Sequence, residues 1–196
     1  MAANGKRRKH SGTAVKIVVT GPFSAGKTTL IRTISEITVL STEKDITDHT
    51  KSRKAETTVA MDFGRITIDR DLVLYLFGTP GQDRFDFMWE ILGEGMLGYI
   101  LLLDASREDS LQEAVGILAA FRKMARVPFV VALNRTEGID EGDEARVRSA
   151  LELAPDVPVV PCDATDRESV KRVLLSLLYS VVDSLDVPEP AQSANA

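Results

Sequence analysis

Residues 14–29 read AVKIVVTGPFSAGKTT, and this stretch decides the fold. Its first seven residues are a short β-branched run of strand character, and Gly26 to about Ile37 read as a helix. Between them, Gly21 to Thr29 match G-x-x-x-x-G-K-[ST] directly after a strand and directly before a helix, which is the context that pattern requires. The glycines permit a tight backbone path whose N–H groups point at phosphate oxygens, and the helix N-terminus adds about half a positive charge. Gly21, Ser24, Ala25, Gly26, Lys27, Thr28 and Thr29 are therefore candidate phosphate-binding residues. Lys27 has no evident core role and is placed to bridge the β- and γ-phosphates. Thr28 offers a hydroxyl to Mg²⁺, a hard ion that keeps several waters and takes its other ligands from phosphate.

Outward from this loop the chain alternates strand and helix signals. A polar stretch without clear period covers about Thr38 to Thr57, long for a loop in a compact domain and thus functional in character. VAMDFGRITI and LVLYLF flank Asp69-Arg70-Asp71 and read as a hairpin of two antiparallel strands. After a Gly-rich stretch at 78–98, with a helix over 83–92, come YILLLDAS and DSLQEAVGILAAFRKMA, where Leu111, Val115, Leu118 and Phe121 recur at helical spacing. VPFVVALN, a helix at about 143–153, VPVVPC and a last helix at about 167–185 complete the series. Six strands and about five helices of this kind predict an α/β fold, a mainly parallel, doubly wound sheet covered on both faces.

Composition bounds the rest. The chain of 196 residues, 44% hydrophobic and 27% charged, fits one domain over 14–185. The single cysteine, Cys162, rules out an internal disulfide framework and a thiolate zinc site, which points to a reducing, cytoplasmic setting. No apolar run approaches the roughly 18 to 20 residues of a membrane span, so no stable membrane insertion is expected. Net charge is −5, and no nucleic-acid partner is expected. KRRK at Lys6–Lys9 nevertheless concentrates positive charge in a tail, residues 1–13, that reads as disordered. It is either a solvated arm or a means of peripheral association with the inner face of a membrane, worth about 1 kcal/mol per positive charge. Residues 186–196 read as a second disordered tail, without the cysteine that a prenyl anchor needs.

The base-binding signals lie at the carboxyl edge of the sheet, where open α/β folds bind ligands. VALNRTEG places Asn134 and Glu137 there, and PCDATD places Asp163 and Ala164. A carboxylate at Glu137 accepting from guanine N1–H and N2–H₂ selects guanine, because adenine leaves that acceptor unpaired. The Ala164 N–H is a donor for guanine O6.

Over about residues 14–184 the sequence resembles the Ras-like small GTPases, a P-loop NTPase group with a G domain. GPFSAGKT is similar to the phosphate loop, TTVAMDF to the end of the first switch, GTPGQ to the second, NRTE to N-K-x-D and DAT to S-A-K. The LFGTPGQDRF wording is most similar to bacterial conservon-type GTPases, relatives of the motility GTPases that are encoded beside roadblock-fold and sensor-like proteins. The resemblance implies GTP/GDP and Mg²⁺ as cofactors, a roadblock-fold regulator or activator and sensor-like signalling proteins as partners, and slow GTP hydrolysis. By position it implies that Thr58 senses γ-phosphate and metal, that Gln82 orients the attacking water, and that Lys27 acts with them. Arg84 either reaches the phosphoryl group in cis or pairs on the surface with Asp83 or Asp86.

Four residues depart from that pattern. Phe23 puts bulk beside the γ-phosphate, Arg135 replaces a lysine, and Glu137 replaces an aspartate, moving the carboxylate outward by about 1.5 Å. Gly78 stands where such switches carry the acid that holds Mg²⁺ through water. Asp62, four residues past Thr58 and on the same strand face, either substitutes for that acid or is a solvating edge charge. Three functions follow: a GTP-hydrolysing switch, a nucleotide-binding interaction module with little hydrolysis, and a small-molecule P-loop kinase. The last lacks an Arg-rich lid and leaves Asn134 and Gln82 without a role.

Overall fold

A computed structural model describes residues 13–41, 61–80, 86–136 and 141–185. Both tails, and with them the Lys6–Lys9 cluster, lie outside the described residues. In chain order the elements are β1 (Thr13–Thr20), α1 (Lys27–Ile34), β2 (Leu40–Ser41), β3 (Asp62–Thr67), β4 (Leu72–Gly78), α2 (Asp86–Gly93), β5 (Met96–Asp104), α3 (Glu108–Met124), β6 (Phe129–Asn134), α4 (Glu141–Ala150), β7 (Val159–Cys162) and α5 (Arg167–Leu185).

The strands form one sheet in the order β2-β3-β4-β1-β5-β6-β7. β4, β1, β5, β6 and β7 run parallel, and β2 and β3 are antiparallel at one edge. All six predicted strands are present. The seventh, Leu40–Ser41, pairs with Phe63 and Asp62 and falls inside the stretch expected to be loop, since two residues are too short to carry a period.

β1 and β5 are nearly continuous apolar runs because helices cover both sheet faces. One core holds Ile17, Val19, Leu76, Ile100 and Leu102 under α1 and α5, and the other holds Val18, Tyr99, Leu101 and Leu103 under α2, α3 and α4. α3 corrects one expectation. Its buried face is Ser110, Ala114, Ile117, Leu118 and Phe121, and Val115 is exposed. The apolar count along α3 is high enough to support two overlapping stripes, and docking on β5 selects the one carrying Ala114 and Ile117.

α1 ends earlier than its periodicity predicts. Ser35 leaves the helix with ψ 139, and its hydroxyl accepts from the N–H groups of Ile37 and Arg65, each at 3.2 Å. That side-chain acceptor competes with continued helix and ties the end of α1 to β3. The parallel strands therefore all deliver their carboxyl ends to one edge, with the N-terminus of α1 among them.

Candidate functional site

The turn from β1 into α1 depends on two glycines. Gly21 has φ 141, and a Cβ there would lie 2.1 Å from the Leu102 carbonyl oxygen. Gly26 has φ 103 and caps α1 without a side chain, and a Cβ would lie 2.6 Å from Asn134 Nδ2. Ser24 between them is also left-handed, with φ 61. Ser24 and Thr29 are exposed, whereas Ala25 is fully buried.

The carbonyls of this loop are turned toward donors. Lys27 Nζ donates to Gly21 O at 2.7 Å and Pro22 O at 2.6 Å, and Asn134 Nδ2 donates to Ala25 O at 3.0 Å. Only 7% of Lys27 is exposed, so the lysine expected to act on phosphate alone also braces the loop. With these carbonyls held by side chains and one amide, the Ala25 N–H, turned back onto Pro22 O at 3.3 Å, the turn suits the amide cradle at a helix N-terminus that receives phosphate.

Thr28 and Asp62 meet beside that concavity. The Thr28 hydroxyl donates to Asp62 Oδ2, and Asp62 is buried. In the ladder between β3 and β4, Asp62 stands directly opposite Gly78. A Cβ on Gly78 would lie 3.1 Å from Asp62 Cβ, 3.2 Å from Asp62 Oδ2 and 2.9 Å from Ile31 Cδ1. The acid absent from residue 78 is thus matched by one across the strand pair, filling the space a side chain at 78 would take. The following turn is pinned by Thr79, whose N–H donates to Val19 O at 2.9 Å and whose hydroxyl donates to Thr20 Oγ1 at 3.0 Å.

Hydroxyl and carboxylate oxygens of this kind suit Mg²⁺. No group of three or more His, Cys, Asp or Glu side chains converges on a metal position among the described residues. A cation here would need phosphate oxygens and water to complete its shell, which matches the habit of Mg²⁺.

At the other end of the edge, Asn134 joins two loops. Its Oδ1 accepts the Ala164 N–H at 3.1 Å while its Nδ2 holds Ala25 O. The Ala164 N–H expected to meet guanine O6 is therefore already engaged by Asn134. Asp163 caps its own turn: its Oδ1 accepts from the Thr165 hydroxyl at 2.7 Å and from the Thr165 N–H at 2.8 Å. Those bonds, the hydroxyl's foremost, hold the Asp163 carboxyl below the usual carboxylate range. Asn134, Arg135, Thr136, Cys162, Asp163 and Thr165 border an open cleft of about 570 Å³.

Residues 19–184 match the family described as "Conserved hypothetical ATP binding protein". The chain belongs to this family. It is also similar to "Uncharacterized protein MJ1339" of Methanocaldococcus jannaschii, with 33% identity over 127 residues covering 63% of this chain and 71% of that protein. Family and fold together make this a nucleotide-binding α/β protein of the P-loop NTPase kind. The family match includes the phosphate loop from Gly21 to Thr29, Asp62, Asn134, Asp163 and Ala164.

Thr58, Gln82, Arg84 and Glu137 lie outside the described residues. The described part of the site therefore brings together Lys27, Thr28 and Asp62 at one end and Asn134, Asp163 and Ala164 at the other.

Two residues escaped the sequence reading. Asp104, fully buried at the carboxyl end of β5, accepts from the Ser106 hydroxyl at 2.6 Å and pairs with Arg135, which is left-handed at φ 59. The charge that closes the apolar run YILLLD was the available signal. Arg107 donates to Phe23 O at 2.9 Å across 84 residues of sequence, and no local pattern encodes that contact.

Proposed function

We propose that this protein is a guanine-nucleotide switch of the Ras-like kind, which binds GTP and GDP with Mg²⁺ and hydrolyses GTP slowly. The observation that carries the proposal is Asn134, which joins the phosphate loop at Ala25 and the last βα loop at Ala164 at the mouth of an open cleft. A base seated there is fixed relative to the phosphates by one side chain, as a nucleotide switch requires. In this reading Gly21, Ser24, Ala25, Gly26, Lys27, Thr28 and Thr29 take the phosphates, and Glu137, Asp163 and Ala164 read the base. Guanine is favoured over the adenine of the family's description because a carboxylate at 137 needs the N1–H donor that adenine lacks.

Thr28, Asp62 and Thr58 are assigned to the metal, which when bound neutralises phosphate charge. Thr28 supplies its hydroxyl, and Asp62 accepts and orients it from across the strand pair. Gln82 orients water. Phe23 is 54% exposed at the crest of the loop, a bulk that hinders any residue approaching the γ-phosphate from a partner and supports slow turnover. The partners proposed are a roadblock-fold regulator and sensor-like signalling proteins. The setting proposed is the cytoplasm, with recruitment to the inner face of the membrane. Among the described residues no helix is long and apolar enough to cross a membrane.

A second reading, a nucleotide-binding module that scarcely hydrolyses, draws on the same Phe23 and on Gly78. Competition against labelled GDP tests the base: GTP should displace it at far lower concentration than ATP, and equal displacement defeats the guanine reading. GDP release over single and multiple turnovers then separates switch from module.

A further inference from the structure

We propose that Arg107 is a positioning residue for the phosphate loop, a brace that holds the Phe23–Ser24 peptide with its carbonyl outward. The proposal rests on the nucleotide site described above and adds a residue that neither the motif nor the resemblance assigns to it.

Four loop carbonyls, at residues 21, 22, 23 and 25, have side-chain donors, and they are not equally secure. Gly21 O and Pro22 O are held by Lys27, and Ala25 O by Asn134, all from buried positions. Phe23 O is held from outside, by Arg107 Nη1 at 2.9 Å. Its residue is also the least anchored, because the Phe23 side chain points to solvent rather than into a core. Directly after it Ser24 takes φ 61, a conformation that a residue with a Cβ adopts at a cost and keeps only when its surroundings hold it.

That cost gives the Phe23–Ser24 peptide a route of escape. Rotation of the peptide plane, with ψ of Phe23 and φ of Ser24 changing together, would return Ser24 to negative φ and reverse the directions of carbonyl and amide. No peptide bond among the described residues is cis, so the Ser24 N–H points opposite to Phe23 O, on the side away from Arg107. Flipped, the peptide would present a carbonyl oxygen where an amide now stands, replacing attraction for phosphate with repulsion.

Arg107 is itself held for this task. Its Nε and Nη2 fork onto Asp109, at 3.0 Å and 2.7 Å, and Nη2 stands 3.7 Å from Glu113. The fork leaves Nη1 directed at the loop, and because it has two bonds it fixes the plane of the guanidinium. Asp109 and Glu113 both lie on α3, so the brace runs from the loop to an element docked on β5.

The test is the rate at which a fluorescent GDP leaves the full chain, with the melting temperature of the nucleotide-free protein measured beside it. Arg107→Ala should speed release by about 3- to 10-fold, the range for loss of one charge-assisted bond at a partly exposed site. The nucleotide-free melting temperature should stay near that of the parent. Arg107→Lys should restore most of the slow release, since an ammonium can still donate to Phe23 O. Asp109→Asn should give a smaller acceleration than Arg107→Ala. Release from Arg107→Ala at the parent rate, while Lys27→Ala abolishes binding, overturns the brace and leaves the nucleotide site standing. Faster release that tracks a lowered melting temperature and is not rescued by lysine also overturns it. If Lys27→Ala leaves GDP binding intact, the nucleotide site itself is wrong and the brace falls with it.

Discussion

The β1–α1 turn is a main-chain structure, shaped by Gly21 and Gly26 with its carbonyls held by Lys27, Asn134 and Arg107, whereas the open cleft proposed for the base is bordered by the side chains of Asn134, Asp163 and Arg135. The two ends therefore tolerate change differently. A cradle of amides is set by its backbone path, which here takes Gly21, Ser24 and Gly26 to positive φ. Beside it, Asp62 stands across the strand pair from Gly78 and accepts from the Thr28 hydroxyl, so either strand could place an acid at this point. The proposed base recognition would depend on the reach of individual side chains, and glutamate in place of aspartate at 137 adds one methylene, about 1.5 Å of reach. Asn134 touches both ends, which makes it the joint of the site.

The largest effect expected is that of Lys27→Ala, a loss of GDP affinity of about 100-fold or more by titration, since the ammonium holds Gly21 O and Pro22 O and is proposed to act on phosphate as well. A modest fall in melting temperature should accompany it, with the circular dichroism spectrum retained. Asn134→Ala comes next. It strips partners from Ala25 O and Ala164 N–H and should cost about 2–4 kcal/mol in denaturant unfolding. It should also weaken binding of inorganic triphosphate as well as nucleoside, whereas a loss confined to nucleoside would mean the ends are not joined there.

Gly78→Asp in the parent should destabilise by about 1–3 kcal/mol, because its Cβ meets Ile31 and Asp62. Placed together with Asp62→Ala it should cost less than the two single changes summed. Additive costs would mean that 62 and 78 do not share the space.

The smallest effect concerns Cys162 at the base end. Burial, reinforced by Asp163, pushes its thiol up to about 11 from 9.0. Between those values the unfolded chain loses the thiol proton first, so stability should fall as pH rises through this window. A Cys162→Ser control flattens that part of the profile if the thiol is the cause, and iodoacetamide should label the folded protein far more slowly than the unfolded one.

Much of this was legible in the residues. The phosphate loop announces itself because glycine spacing and a lysine are dictated by a backbone path, and the mainly parallel sheet is legible in apolar runs that only a sheet covered on both faces requires, although the order of its strands is not. Asp62 could be proposed because strand alternation places it on the face of Thr58, yet its pairing with Gly78 needed the register of β3 against β4. Asp104 had a signal in the charge closing its apolar run, but its pairing with Arg135, and that of Arg107 with Phe23 O, were illegible because each joins segments distant in sequence. The false stripe through Val115 has a similar origin: helical period locates a face only when one apolar stripe dominates.

Whether Asp62 supplies the oxygen lost at Gly78 is tested most directly by a Mg²⁺ titration of GTP binding. Asp62→Ala should raise the Mg²⁺ concentration needed for tight binding by about 10-fold or more, and Gly78→Asp in that background should recover part of the loss. A titration curve for Asp62→Ala that overlays the parent's would contradict the account, leaving Asp62 as a structural partner of Thr28 and nothing more.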